Sequence, residues 1–264
     1  MKPFMKWAGG KSWLIQQYPE LFDIQYNNYI EPFLGGGAVF FGILPSSGII
    51  SDSNEELINV YTIMRDHPQE LSDQLIEHNI QHNKEYYYYI RSARYTDPLD
   101  RAARTMYLNR TCFNGLYRVN KKGEYNVPIG TRNSCLNGIE LFDEYSKRLK
   151  NIQIICCDFT STIEKASCGD FLFIDPPYLS IQNRQIFGKY NSNLFSWGDQ
   201  ERLYDSFLRA SEKGVKIIMT NVYDDSIREL YSDFSVRTIE RRSSIAGNAS
   251  KRKMINELLI TSNI

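Results

Sequence analysis

Apolar residues recur along the chain in two rhythms. Short β-branched or aromatic runs bounded by turn residues occupy positions 29–33, 49–51, 152–156, 171–174, 216–220 and 257–261. Continuous apolar runs of that length are what strands buried on both faces look like. Helix-length segments such as 37–44, 199–213 and 226–231 lie between them, and this alternation predicts a parallel sheet covered by helices. The stretch 55–137 breaks the rhythm. It offers successive amphipathic helices at 55–65, 68–79, 84–92 and 99–111, then a turn-rich segment in which Asn120-Lys121-Lys122-Gly123 reads as a hairpin tip. The expected organisation is an α/β domain built from 1–54 and 138–264, interrupted by a mostly helical insertion over 55–137.

Composition narrows this picture. A chain of 264 residues has room for a catalytic domain of about 170–180 residues and an inserted module of about 80–90. Its 42% hydrophobic and 23% charged residues are ordinary for a globular protein. No apolar run approaches the roughly 20 residues of a membrane span, and the first residues lack a signal peptide's apolar core. The five cysteines, Cys112, Cys135, Cys156, Cys157 and Cys168, are odd in number and show no C-x-x-C spacing. Reduced, structural thiols in a cytoplasmic protein are expected. His78 and His82 could share a helix face, but no third ligand accompanies them and no metal is expected.

Net charge is zero, yet its distribution is uneven. Arg101, Arg104, Arg110, Arg118, Lys121, Lys122 and Arg132 face only Glu124 within their segment. Arg237, Arg241, Arg242, Lys251, Arg252 and Lys253 face only Glu240. Two such segments suggest one positive face able to meet a phosphate backbone.

Candidate chemistry lies in three places. Ile30-Glu31-Pro32-Phe33-Leu34-Gly35-Gly36-Gly37 joins an expected strand to an expected helix, and Asp52 ends the next strand. Glycines there let the backbone approach a ligand, and a carboxylate at that position can accept both hydroxyls of a cofactor ribose. Phe33 and the missing third glycine of the dinucleotide fingerprint favour S-adenosylmethionine over NAD. Lys6-Trp7-Ala8-Gly9-Gly10-Lys11 is a second glycine turn; Lys11 could hold a carboxylate there and Trp7 could pack on apolar parts of the cofactor. Third, Asp175-Pro176-Pro177-Tyr178 follows the apolar run 171–174. Open α/β sheets place their chemistry at such carboxyl ends. Asp175 and the Pro176 carbonyl could accept both hydrogens of an exocyclic amine while Tyr178 stacks on the extruded base.

Taken together these residues resemble the Dam family of DNA adenine-N6 methyltransferases, in the arrangement where cofactor loop, recognition domain and catalytic tetrapeptide follow in that order. The similarity runs over nearly the whole chain: KWAGGK at 6–11, EPFLGGG at 31–37, SDSN at 51–54, NGLYRVN at 114–120, GEYNVP at 123–128, DPPY at 175–178, and RRSS with a basic run at 241–253. The resemblance implies a Rossmann-like S-adenosylmethionine-dependent methyltransferase sheet with an inserted, mostly helical DNA-recognition domain. It further implies that Trp7, Lys11, Phe33, Gly35, Gly37, Asp52 and Asp175 bind cofactor, and that Asp175, Pro176 and Tyr178 are catalytic. Phe113, Asn114, Leu116, Arg118 and Pro128 would contact or wedge into GATC in double-stranded DNA, and Lys6 would reach its first base pair. Where Dam-like chains often carry glycine and then arginine shortly after NVP, this chain has Gly130-Thr131-Arg132.

Two other readings stay open from the residues. One is methylation of RNA adenine or of cytosine N4, although related amine methyltransferases often carry Asn or Ser where this chain has Asp175. The other is a DNA-binding protein without catalysis. Membership of a restriction-modification pair, protein partners and oligomeric state are not written in the motifs.

Overall fold

A computed structural model describes residues 1–178, 195–242 and 254–264. It forms two compact units, Met1–Phe22 with Leu34–Cys156, and Asp23–Phe33 with Cys157–Ile264. Among the described residues the strands are β1 (Tyr29–Glu31), β2 (Gly48–Asp52), β3 (Ile152–Cys156), β4 (Phe171–Ile174), β5 (Lys216–Val222), β6 (Ser235–Arg242) and β7 (Met254–Ser262). The α-helices are α1 (Ser12–Gln17), α2 (Phe40–Ile43), α3 (Glu55–Asp66), α4 (Pro68–Ile80), α5 (Lys84–Ser92), α6 (Pro98–Thr111), α7 (Phe142–Leu149), α8 (Phe159–Ile163), α9 (Trp197–Glu212) and α10 (Asp225–Leu230).

In the unit that carries Asp23–Phe33, the strands lie in the order β1-β4-β5-β7-β6. β4 pairs in parallel with both β1 and β5, with Phe171 opposite Tyr29 on one side and Lys216 on the other. Every residue of β1 and β4 is buried, which is why neither run alternates with polar residues. Ile30, Leu172, Ile174, Ile217 and Met219 share a core with Phe159 of α8, Leu203 and Phe207 of α9, and Tyr231. α9 starts at a capping box in which Ser196 and Asp199 exchange side-chain and backbone hydrogen bonds.

The edge of this unit departs from the all-parallel expectation, because β7 runs antiparallel to both β5 and β6. Apolar periodicity did not reveal β6. It carries Arg237, Glu240, Arg241 and Arg242, as edge strands that resist pairing with other chains often do.

In the other unit β2 and β3 pair in parallel, with Asp52 opposite Cys156, and α3 packs on both strands and on α6 and α7. Phe4, Phe41, Tyr61 and Tyr145 form an aromatic cluster with ring centroids 4.8–6.3 Å apart. The Asn54 side chain caps α3 by accepting from Leu57 N–H at 3.2 Å. Asp97 caps α6 ahead of Pro98. Helices α3 to α6 fall where the periodicity predicts them. The α/β class expected from the sequence, with Rossmann-like parallel strands, is what the protein adopts. Among the described residues no helix is long and apolar enough to cross a membrane.

Candidate active site and DNA-recognition loop

The glycine turn after Phe33 is fixed from two sides. Gly35 N–H donates to Asp52 Oδ2 at 3.0 Å, and Asn54 N–H donates to Oδ1 at 3.0 Å. The Asp52 carboxyl is thus oriented at the end of β2 by the backbone on either side of it. Burial pushes its pKa above the usual aspartate value, against the pull of the Gly35, Asn54 and Ser53 N–H groups. Gly35 has φ +49°, and a Cβ there would lie 2.8 Å from Trp7 Cδ1. Only glycine leaves Trp7 in this place. The Trp7 indole stacks on Tyr117 at 5.0 Å and 24°. Lys11 is buried, and its ammonium donates to Gly9 O at 3.1 Å.

In the unit containing β4, Asp175 directly follows that strand, and its Oδ1 accepts from the Thr220 hydroxyl of β5 at 2.8 Å. Tyr178 donates its hydroxyl to Glu257 Oε2 at 2.6 Å. Glu257, on β7, is only 1% exposed, and Arg241 Nε closes on its other oxygen. Burial, together with the Asp175 and Glu257 charges, pushes the Tyr178 phenol well above its ordinary pKa, so it remains a neutral donor. Phe33 stacks on Phe159 at 5.2 Å and meets Phe195 edge-on at 5.8 Å.

The expected recognition residues gather on one turn system. Phe113–Gly115 is a 3-10 turn in which Asn114 adopts φ +57°. Phe113 N–H donates to Pro128 O at 2.9 Å, which ties the turn to the returning strand of the hairpin. Val119 pairs with Tyr125 across the expected hairpin tip. Phe113 is 51% exposed and Leu116 38%. Arg118 is exposed at the hairpin base, its Nε donating to Asn126 Oδ1 at 2.7 Å. The Lys6 backbone docks on Asn109 beside this turn; burial and Arg132 lower the Lys6 ammonium's pKa.

Residues 7–245 match the family described as D12 class N6 adenine-specific DNA methyltransferase. The chain belongs to that family. It is 39% identical over 270 residues to the type II methyltransferase M1.LlaDCHI of Lactococcus lactis subsp. cremoris, covering 99% of this chain and 95% of that protein. It is 32% identical to the DNA adenine methylase of Haemophilus influenzae, covering 98% and 92%. The DNA adenine methylase of Escherichia coli K12 is 30% identical, covering 98% and 94%. As a D12 class enzyme the chain acts on adenine in DNA and draws on a methyl donor.

Within this D12 class chain the basic segments divide. Arg101 pairs with Glu55 and Glu56, each at 2.7 Å. Arg104 donates to the carbonyls of Ile90 and Arg91. Arg110 is buried on Cys135 O and Phe4 O, and burial lowers its pKa to about 10. These arginines hold the fold, so the exposed positive charge of that segment reduces to Arg118, Lys121, Lys122 and Arg132. Arg241 likewise serves Glu257. Ser243, Ser244, Lys251, Arg252 and Lys253 lie outside the described residues. His78 and His82 each bond a tyrosine hydroxyl at 2.7 Å, and Cys112 and Cys135 are buried. Among the described residues no group of three His, Cys, Asp or Glu side chains could hold a metal ion.

Sequence reasoning missed Tyr117, Asn109, Thr220 and Glu257. Glu257 could have been suspected as a lone acid opening the apolar run Leu258-Leu259-Ile260, and Tyr117 from its place inside NGLYRVN. Nothing local flagged Asn109 or Thr220.

Proposed function

We propose that this enzyme transfers a methyl group from S-adenosylmethionine to N6 of an adenine flipped out of duplex DNA, within GATC. The observation that carries the proposal is Asp175 at the carboxyl end of a buried parallel strand. Thr220 holds its carboxylate, and Pro176 and the clamped Tyr178 follow it.

Adenine's exocyclic amine is a poor nucleophile because its lone pair is delocalised into the ring. In this reading one amino hydrogen goes to the Asp175 carboxylate and the other to the Pro176 carbonyl, which redirects the lone pair out of the ring plane. The Thr220 hydroxyl on Oδ1 fixes the carboxylate's orientation before the base arrives, and preorganised acceptors of this kind act mainly through electrostatics. Tyr178 stacks on the flipped base, its ring held by Glu257.

S-adenosylmethionine, when bound, supplies a sulfonium methyl group open to attack by nitrogen. The residues fit such a donor. Asp52 presents a carboxylate whose direction the Gly35 and Asn54 N–H groups already set, suited to ribose hydroxyls. Gly35 and Gly37 keep the turn open, both at positive φ. Trp7 and Phe33 offer aromatic faces, and Lys11 an ammonium.

We take residues 55–137 as the target-recognition module inserted between 1–54 and 138–264. Phe113 and Leu116 are apolar yet exposed on a turn with a pinned backbone, as expected of side chains that wedge into a duplex or fill the space a flipped base leaves. Lys6, Asn114, Arg118 and Pro128 complete the contact set, with Arg118 suited to guanine O6 and N7. A DNA substrate favours a cytoplasmic setting.

Incubation with labelled S-adenosylmethionine and either duplex DNA containing GATC, the same duplex without adenine in that site, or structured RNA tests the reading. Label on the first alone is expected. Label on RNA alone, or none with S-adenosylmethionine as donor, would overturn it.

A further inference from the structure

Asn109 lies in the last turn of α6 and is fully buried. Its amide is completely used. Oδ1 accepts from Lys6 N–H at 3.0 Å, and Nδ2 donates to Lys6 O at 2.9 Å and to Gly115 O at 3.1 Å. One side chain thus pairs with a residue of the N-terminal glycine loop as a neighbouring strand would, and grips the carbonyl that ends the Phe113–Gly115 turn.

The two loops also touch directly. A Cβ on Gly115 would lie 2.3 Å from Lys6 Cδ, so this glycine, at φ +66°, lets the loops close on each other. Trp7, the next residue, covers Gly35 and Gly36 on one side and stacks on Tyr117 on the other. Gly35 in turn holds Asp52. A continuous path of hydrogen bonds and close packing therefore runs from Asp52 through Gly35, Trp7, Lys6 and Asn109 to Gly115.

We infer that Asn109 is a positioning residue that couples cofactor occupancy to recognition of the DNA target. A ligand that orders the Trp7 loop biases Lys6 O and N–H, and through the Asn109 amide it biases the turn presenting Phe113 and Asn114. Linkage makes the coupling reciprocal: target DNA tightens cofactor binding by the factor by which cofactor tightens target DNA. This rests on the proposed methyl-transfer reading.

The test is a thermodynamic cycle on the full-length enzyme, with sinefungin as the cofactor probe. The duplex is one that wild type methylates, whatever its sequence proves to be, and the reference is a scrambled duplex that it does not. Wild type is expected to bind sinefungin about tenfold more tightly with target than with scrambled duplex. Asn109→Ala is expected to bring that ratio to about one while each separate affinity changes by less than about threefold. A residue that only stabilised the fold would lower the melting temperature and leave the ratio intact. If Asn109→Ala fails to fold, Asn109→Ser gives the same readout, since a single hydroxyl donor cannot serve both Lys6 O and Gly115 O. A ratio near one in wild type, or a wild-type ratio in the folded variant, overturns the inference. Loss of all methylation by wild type would instead overturn the functional reading beneath it.

Discussion

Tyr178 and Glu257 meet at 2.6 Å, phenol to carboxylate, although they stand 79 residues apart in the chain. The acid is 1% exposed and shared with Arg241, so the aromatic end of the Asp175–Tyr178 tetrapeptide is anchored in the antiparallel edge of its unit. Glu257→Leu removes the buried carboxylate that Tyr178 and Arg241 both bond and is expected to destabilise the fold by about 3–5 kcal/mol. Glu257→Gln keeps the shape without the charge; it should fold but turn over about 10- to 100-fold more slowly, because the Tyr178 ring loses its fixed position. Urea unfolding and single-turnover rates check the pair. An unchanged unfolding midpoint for Glu257→Leu would remove the anchor from the explanation.

Asp175→Ala is expected to fold and to keep most DNA affinity while losing about 10²–10³ in rate, the usual cost of one preorganised electrostatic partner. Thr220→Val, which withdraws the hydroxyl from Oδ1, should lower the rate in the same direction by less. Near-normal turnover by Asp175→Ala would refute its role.

The Asp52 carboxyl predicts opposite pH trends for stability and for cofactor binding. Its folded pKa lies above the ordinary aspartate value because of burial. Its contribution to the stability of the unliganded protein is therefore fully present below the unfolded pKa and is lost as pH rises through the folded one. The ionised carboxylate is the better acceptor for ribose hydroxyls. Affinity for S-adenosylmethionine should accordingly fall as pH drops toward that raised pKa, at a higher pH than an unburied aspartate would give. Asp52→Ala should flatten this profile and weaken binding by roughly 1.5–3 kcal/mol. Cofactor titrations without DNA, repeated across pH, decide the matter; a profile identical to wild type would move the ribose site elsewhere.

Arg118 is exposed, with Nε donating to Asn126 Oδ1 at 2.7 Å and Nη2 more weakly to Asn126 O at 3.5 Å, so a bidentate contact to a base would draw Nη2 away from that longer bond. Arg118→Ala should relax discrimination at one base pair of the target by about 1–3 kcal/mol. A phosphate contact would instead weaken binding about equally on all sequences and reduce the salt slope by about one unit. Methylation rates on duplexes substituted at each target position, at two salt concentrations, separate the two.

Much of the fold was legible because burial writes itself into composition. Phe171-Leu172-Phe173-Ile174 has no polar residue because both its faces are covered, and Asn54 and Asp97 announce helix starts by capping them. β6 was illegible because an edge strand tolerates charge on successive residues. The motifs of the candidate site stood out as short strings with local chemistry. Thr220, Glu257 and Asn109 were not, because each acts on a partner far off in sequence, at separations of 45, 79 and 103 residues. The basic segment misled in part for the same reason: nothing local distinguishes Arg110, buried on Phe4 O and Cys135 O, from an arginine that meets DNA.

The central claim is methylation of adenine N6 in duplex DNA by a centre built on Asp175. Single-molecule methylation-sensitive sequencing of DNA from cells expressing the wild-type chain, beside cells expressing Asp175→Ala, tests it most directly. The predicted result is N6-methyladenine at nearly every GATC with wild type and at no more than a small fraction of them with the variant. Cytosine N4 methylation, or adenine marks at wild-type density in the Asp175→Ala cells while absent from vector controls, would contradict it.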